Sequence, residues 1–287
     1  GAYSITNSWT AFGFGRFNFL HDTQRVTLGA FRGHAVNSYD NFMDQGIGLE
    51  STSNILATPL VYSHRLGDRT NTDWWSGAQF FFVKLDQKGE DPTSSDLISS
   101  LGLENSYAFA FGPNVSFDSR DNTNAPTRGQ YLQLRVDLWV QPKADDNTPF
   151  FGAYNASYSY FHPFKYAVLA ARATARFSFS APLIFQSSLS DFRGYTVGEQ
   201  IAENTASVQA ELRIPFGKSR FGAAAFGGVA TLFDDFADWG DSNTYHPMGG
   251  GGLRFTMSKQ QRTIIRLEYA QGINGARGIY LAMGQAF

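Results

Sequence analysis

Cysteine is absent from all 287 residues. That excludes a disulfide framework, a thiolate metal site and a cysteine nucleophile, and leaves the compartment open. Charge is scarce as well: 17% of residues are charged, the formal net charge is −2, and no dense Lys/Arg run occurs. Nucleic acid is therefore set aside as a partner, because its binding needs a clustered basic footprint. Long apolar runs are missing too, and the mean hydropathy is −0.26. A membrane-spanning helix needs about 20 consecutive apolar residues, so none is expected. No leader-like segment opens at Gly1, which reads as a mature, trimmed or cytosolic chain. The histidines, His21, His34, His64, His162 and His246, fall in no H-E-x-x-H or G-x-S-x-G spacing. No enzyme activity, metal or cofactor is expected.

What the chain does have is aromatic residues, 16% of the total, and 29 glycines. That mixture favours strands. In 128–140, RGQYLQLRVDLWV, Leu132, Leu134, Val136, Leu138 and Val140 fall on one face and Gln133, Arg135, Asp137 and Trp139 on the other. Such period-two alternation recurs in 106–120, 167–179, 206–216 and 263–270. The strands exceed the usual length of about 5–6 residues, and their polar face mixes Arg, Asp and Glu with Gly, Ala and Ser. Long strands, apolar on one side and small or charged on the other, predict an antiparallel transmembrane β-barrel, whose strands need about 9–11 residues to cross lipid. A large soluble β-sandwich is the competing reading.

Candidate strands lie near 8–20, 25–36, 48–64, 73–86, 105–120, 128–141, 150–163, 166–179, 206–216, 220–234, 248–257, 262–272 and 278–287. Short connections alternate with mostly longer ones, as periplasmic turns alternate with outer loops. Even strand counts are the rule for bacterial single-chain barrels. Residues 1–24 are the least secure, since Gly13 and Gly15 weaken 8–20, so twelve strands are expected, with fourteen as the alternative. No repeat or linker divides the chain, and 1–287 reads as a single domain.

One loop stands out: SDFRGYTVGE at 190–199 places an arginine among aromatic residues and glycines. Three patterns in order carry a resemblance: FDSRDNTNAPTRGQYLQL at 117–134; FRGY at 192–195 with Gly198 and then ASVQAELRIPF; and a final strand with Tyr280, Leu281 and Met283 ending at Phe287. Together they resemble the BamA-type superfamily of outer-membrane assembly and secretion barrels, over about 105–287. The resemblance implies that Phe192, Arg193, Gly194, Tyr195 and Gly198 form a loop folded into the lumen. It also implies that acidic residues on inner faces hold Arg193, and alternation places Glu211 and Glu268 there. Tyr195 would pack on the barrel wall. Asp118, Arg120, Asp121, Asn122, Pro126 and Gly129 would form a periplasmic turn, read here as local turn chemistry. Tyr280, Leu281, Met283 and Phe287 would form the terminal signal for insertion.

The chain departs from the family in showing no POTRA-like βαββα segment, in Gly228 standing where an acidic residue is expected, and in size. Family barrels are larger, so a sixteen-strand type shortened on its N-terminal side is a further alternative. The inward Arg135, Asp137, Arg172, Arg176, Arg213, Arg254 and Arg266 would either line a pore or pair with one another, and a plugged lumen is the reading preferred. The implied function is insertion or translocation of outer-membrane or secreted client proteins, in an outer-membrane bilayer. The alternative is a membrane anchor or passive pore, including the C-terminal domain of a longer autotransporter-like protein. An underpaired strand edge would also permit a homodimer.

Overall fold

Alternation in the sequence becomes one continuous antiparallel sheet. The computed structural model describes residues 2–3, 8–42, 47–67, 73–142, 150–189, 192–196, 198–241 and 244–287. Thirteen long strands build the sheet: β2 (Trp9–Phe19), β3 (Gln24–Phe42), β4 (Ile47–Arg65), β5 (Trp74–Gly89), β6 (Ser106–Asp118), β7 (Gly129–Val140), β8 (Phe150–Pro163), β9 (Val168–Phe179), β12 (Asn204–Pro215), β13 (Phe221–Phe233), β14 (Tyr245–Ser258), β15 (Thr263–Gln271) and β16 (Arg277–Met283). A two-residue strand, β1 (Ala2–Tyr3), pairs with β2 and makes the sheet fourteen-stranded. Each long strand pairs with its neighbour in this order, and among the described residues no ladder joins the first strand to the last. A separate hairpin, β10 (Ser187–Ser188) with β11 (Ile201–Ala202), interrupts the long connection between β9 and β12.

The expected count of twelve is wrong, and the strand it discards is real. β2 runs in unbroken register against β3, from Trp9↔His34 to Phe19↔Gln24. Glycine weakens a strand interior by about 0.5–1 kcal/mol, too little to dissolve an eleven-residue ladder. Fourteen is reached only by counting β1.

Cross-strand partners point to the same face of a sheet, so the register carries one face from strand to strand. Exposed Leu28, Leu56, Leu60, Phe80, Phe111, Leu134, Tyr154, Tyr158, Val208, Leu212, Leu253, Leu267, Ile279 and Leu281 all lie on the outer face. A soluble monomer rarely exposes a contiguous apolar patch beyond a few hundred Å²; a belt around every strand fits lipid. No described helix is long and apolar enough to cross a membrane.

The connection between β5 and β6 contains a helix, α1 (Pro92–Ser100), that the alternation test does not see. Asp91 caps it, accepting from the Ser94 N–H at 2.9 Å, and Pro92 opens its first turn. Its Ile98 is buried with Tyr39, Phe42, Leu49 and Leu103, and Leu183, Ile184 and Ile201 of the β9–β12 connection pack on that cluster. The helix thus braces the segment that carries the FRGY motif.

Candidate functional site

The β9–β12 connection turns inward, and the sheet gives it a place to land. Phe192, Arg193 and Tyr195 are all buried. Arg193 Nη1 donates to Glu211 Oε2 and to Glu268 Oε1, each at 2.9 Å. Both carboxylates are essentially sealed from solvent, Glu211 at 0% and Glu268 at 1% exposure. A lone charge could not occupy such a place, because burying it without partners costs several kcal/mol. The partners come from the neighbouring strands. Arg213 Nε reaches Glu211 at 2.9 Å, Arg254 Nη2 bridges both glutamates at 3.1 and 2.6 Å, and Arg266 Nη1 meets Glu268 at 2.5 Å. Four guanidiniums thus surround two carboxylates, and Arg193 also lies 3.5 Å over the Phe226 ring centroid.

Local sequence explains how the loop fits so closely. Gly194 has φ +95°, a backbone that L side chains rarely adopt, and its N–H donates to the Tyr280 hydroxyl at 2.8 Å. Tyr195 donates its hydroxyl proton to the Pro247 carbonyl at 2.6 Å and accepts from the Ile273 N–H at 3.2 Å. That anchors the ring to the β14 wall and to the β15–β16 turn. Gly198 lies against Tyr39, whose hydroxyl would stand 3.0 Å from a side-chain carbon placed there.

Several participants escape sequence reasoning. Gly250, on the inner face of β14, leaves room for Phe226, which would sit 2.7 Å from any added Cβ; Gly272 does the same for the Tyr195 ring at 2.5 Å. The signal was available: four consecutive glycines, 249–252, are unfavourable in a strand unless something approaches closely. Tyr280 faces inward to the loop, whereas Leu281 and Met283 point outward at 73% and 70% exposure. The terminal motif therefore serves two faces.

The 119–128 turn combines local bonds with long reach. Asn122 Oδ1 accepts from the Asn124 and Ala125 N–H groups, both at 2.9 Å, and Asp118 pairs with Arg120 through two bonds of 2.8 Å. Gly129 has φ +99°. Beyond this turn chemistry, Pro126 is buried and its carbonyl accepts from Arg213 Nη1 at 3.3 Å, while Arg213 Nη2 donates to the Phe287 backbone oxygen at 2.7 Å. Arg262 Nη1, in the β14–β15 turn, reaches Asp121 at 3.1 Å, and Asn124 donates to the Gln261 carbonyl at 3.2 Å. These contacts latch the turn across the mouth of the curled sheet and join it to the buried cluster through Arg213. Burial opposes ionisation of Asp121, but the Thr127 N–H and hydroxyl, the Arg128 N–H and Arg262 outweigh it and hold its pKa at about 2. Among the described residues no group of acidic, histidine or cysteine side chains could hold a metal.

Long antiparallel strands with an apolar outer face, curled around a loop clamped by buried ion pairs, place the chain in the transmembrane β-barrel class. It belongs to the Omp85 superfamily, whose domain matches residues 3–287. Among solved structures it is similar to BamA from Haemophilus ducreyi lacking POTRA domains 1–3, at 13% identity and a TM-score of 0.56, covering 96% of this chain and 61% of that one. CdiB from Escherichia coli gives 13% identity and a TM-score of 0.60, covering 98% and 54%. CdiB from Acinetobacter baumannii gives 10% and 0.57, covering 97% and 49%. This chain spans roughly half to three-fifths of the length of those proteins. A comparison with curated sequences found no match.

Proposed function

We propose that this chain is a bacterial outer-membrane barrel that inserts or translocates client proteins and catalyses no reaction. The observation that carries the reading is the clamped loop: Arg193 bonded to Glu211 and Glu268 inside the sheet. Superfamily membership supports it, as does the likeness to BamA and CdiB. The clamp acts as a removable plug in this mechanism, with the sheet edges β2 and β16, which share no ladder, or the lumen itself as the route. Quantitative proteomics of the outer membrane and culture medium tests it in cells lacking the gene and in cells carrying Arg193→Ala. Depletion of a defined set of barrel or secreted proteins in both strains is expected. Unchanged proteomes in the deletion strain would overturn it.

A second reading, that the barrel is a membrane anchor or passive pore, draws support from the inner face at Phe12 and Phe14, which is exposed beside the clamped loop. Planar-bilayer recordings separate the two. Steady conductance without a client supports the passive pore, whereas rare, brief openings that Arg193→Ala makes frequent support the plug.

A further inference from the structure

The short turns at one end of the strands carry a charge that the other end does not. The β8–β9 turn, PFKYA at 163–167, the β12–β13 turn, FGKSR at 216–220, and the β14–β15 turn, SKQQR at 258–262, hold Lys165, Lys218, Arg220, Lys259 and Arg262 and no acidic residue. All three segments lie wholly within the described residues. At the opposite end, the β13–β14 connection, DDFADWGDSNT at 234–244, holds four aspartates and neither lysine nor arginine. With a formal net charge of −2 for the chain, the basic end is a local arrangement and not a consequence of composition.

Two of these turns adjoin, because β13 pairs with β14 from Phe221↔Phe255 onward. Lys259 Nζ crosses to donate to the Lys218 carbonyl at 2.9 Å, and Arg220 Nη1 donates to the Met257 carbonyl at 2.7 Å. Three exposed cations, Lys218, Arg220 and Lys259, are thus gathered by backbone carbonyls and not by carboxylates. The carboxylate that reaches the β14–β15 turn, Asp121, is spent on Arg262 at 3.1 Å and on the Thr127 N–H and hydroxyl, each at 2.8 Å. Like charges held close repel one another, and a bound anion relieves that repulsion. Guanidinium and ammonium groups both suit phosphate oxygens.

The neighbours of the cations decide which kind of phosphate fits. Phe216, Phe221 and Met257 are exposed beside the turns, and the Phe221 ring packs on Phe255 with centroids 5.2 Å apart. Aromatic side chains next to cations are the pattern of a membrane interface. The same turns line a cavity of about 270 Å³, where Ile214, Pro215, Phe221 and Ile264 stand beside Lys259 and Gln285. Gln285 Oε1 is buried with no hydrogen-bond partner among the described residues, an acceptor suited to a headgroup hydroxyl. The cavity is too small for a two-chain lipid, so the chains would leave it over the exposed rings. We infer that the β12–β13 and β14–β15 turns bind an anionic glycerophospholipid, its phosphate on Lys218, Arg220 and Lys259, its headgroup hydroxyl on Gln285 and its chains on Phe216, Phe221 and Met257. The site belongs to the leaflet that meets the short turns, since the aspartates of the opposite end repel the same headgroups. The inference rests on the membrane-barrel class and not on whether the barrel moves proteins.

Native mass spectrometry of the folded, detergent-solubilised protein, titrated with phosphatidylglycerol and separately with phosphatidylcholine of the same chains, tests it. Phosphatidylglycerol should bind saturably and at least about tenfold more tightly, because basic clusters beside a membrane select anionic lipid. Arg220→Gln/Lys259→Gln should remove most of that preference. Lys84→Gln/Lys88→Gln, which takes the same charge from the far half of β5, should keep it. Heat-modifiable mobility on gels shows whether each variant folds. If the first does not, the unaltered protein decides: high salt should abolish the preference, and excess inorganic phosphate should fail to displace the lipid at low salt. Equal binding of the two lipids, displacement by inorganic phosphate, a preference that survives high salt, or full preference in a folded Arg220→Gln/Lys259→Gln variant would overturn the site.

Discussion

The two ends of the sheet present different inner faces. From β7 to β15 the inward positions are polar and charged: Arg135, Asp137, Arg172, Arg176, Glu211, Arg213, Arg254 and Glu268. From β2 to β5 the same face carries Phe12, Phe14, Phe31, Ile55, Val61, Phe81 and Val83 among fewer charged residues, Arg16, Arg25 and Arg65, placed there by the register through Phe12↔Phe31, Phe31↔Ala57 and Ala57↔Val83. Phe12 and Phe14 stand 59% and 77% exposed, whereas Glu211 and Glu268 are sealed. The connection covers the charged side and packs on Phe81, Val83 and the Tyr39–Leu49 cluster, and it leaves the Phe12 and Phe14 end open. The lesson is that the loop goes where electrostatics holds it, although burying the apolar side would gain hydrophobic free energy.

If that comparison is right, the largest effect comes from breaking the charged side. Glu211→Ala leaves Arg193, Arg213 and Arg254 without the carboxylate they share. Losing one member of a buried ion cluster costs about 3–5 kcal/mol. The variant should lose most of its heat-resistant folded band, and a wild-type urea midpoint would sink the clamp. Arg193→Ala follows, at about 3 kcal/mol. Arg220→Ala, an exposed donor to the Met257 carbonyl at 2.7 Å, should cost under about 1 kcal/mol. Equal midpoints for the two arginine variants would mean that the loop is not anchored by charge.

The same contrast governs what could be read beforehand. Alternation is legible where the inner face is polar, as in 128–140 and 206–216. In 8–20 it is Gly13 and Gly15 that make the strand look dispensable, and Phe12, Phe14 and Phe17, apolar on both faces, offer no alternation to offset them. The inward parity of Glu211 and Glu268 follows from period two alone. Convergence of Arg213, Arg254 and Arg266 on those carboxylates, and the reach of Pro126 to Arg213, depend on curvature that brings β6 and β7 near β14 and β15. One-dimensional pattern holds no such information. The helix α1 was hidden for a different reason: it is nine residues long, shorter than a window in which helical period declares itself.

Smaller effects probe the mouth, where the 119–128 turn meets the β14–β15 turn. Gly129→Ala puts a methyl 2.3 Å from the Ser119 carbonyl oxygen at φ +99°, and such strain costs about 1–3 kcal/mol. Asp121 contributes less, under about 1 kcal/mol, because the latch faces solvent. Its pKa of about 2 lies below the ordinary value of about 3.9, so the contribution is present above pH 4 and is lost as pH falls towards 2. Asp121→Asn should flatten that acid limb in a urea-midpoint series. An unchanged pH slope would show that the turn is held by its neighbours alone.

The smallest expected effect is the sharpest check on the aromatic side. Phe14 faces inward and is 77% exposed, while Leu28, on the adjacent strand, faces outward at 47%. A lysine on a lipid-facing position costs up to about 2–4 kcal/mol at the bilayer midplane. A lysine in a wet, open lumen costs little, within about 0.5 kcal/mol for an exposed site without special contacts. Phe14→Lys should therefore leave the urea midpoint of vesicle-reconstituted protein almost unmoved, and Leu28→Lys should lower it clearly. The reverse order would put Phe14 against lipid and break the register that carries the inner face from Glu211 around to β2. Equal, large losses would mean that the aromatic side is covered in the membrane, and the contrast between the two ends would fail with it.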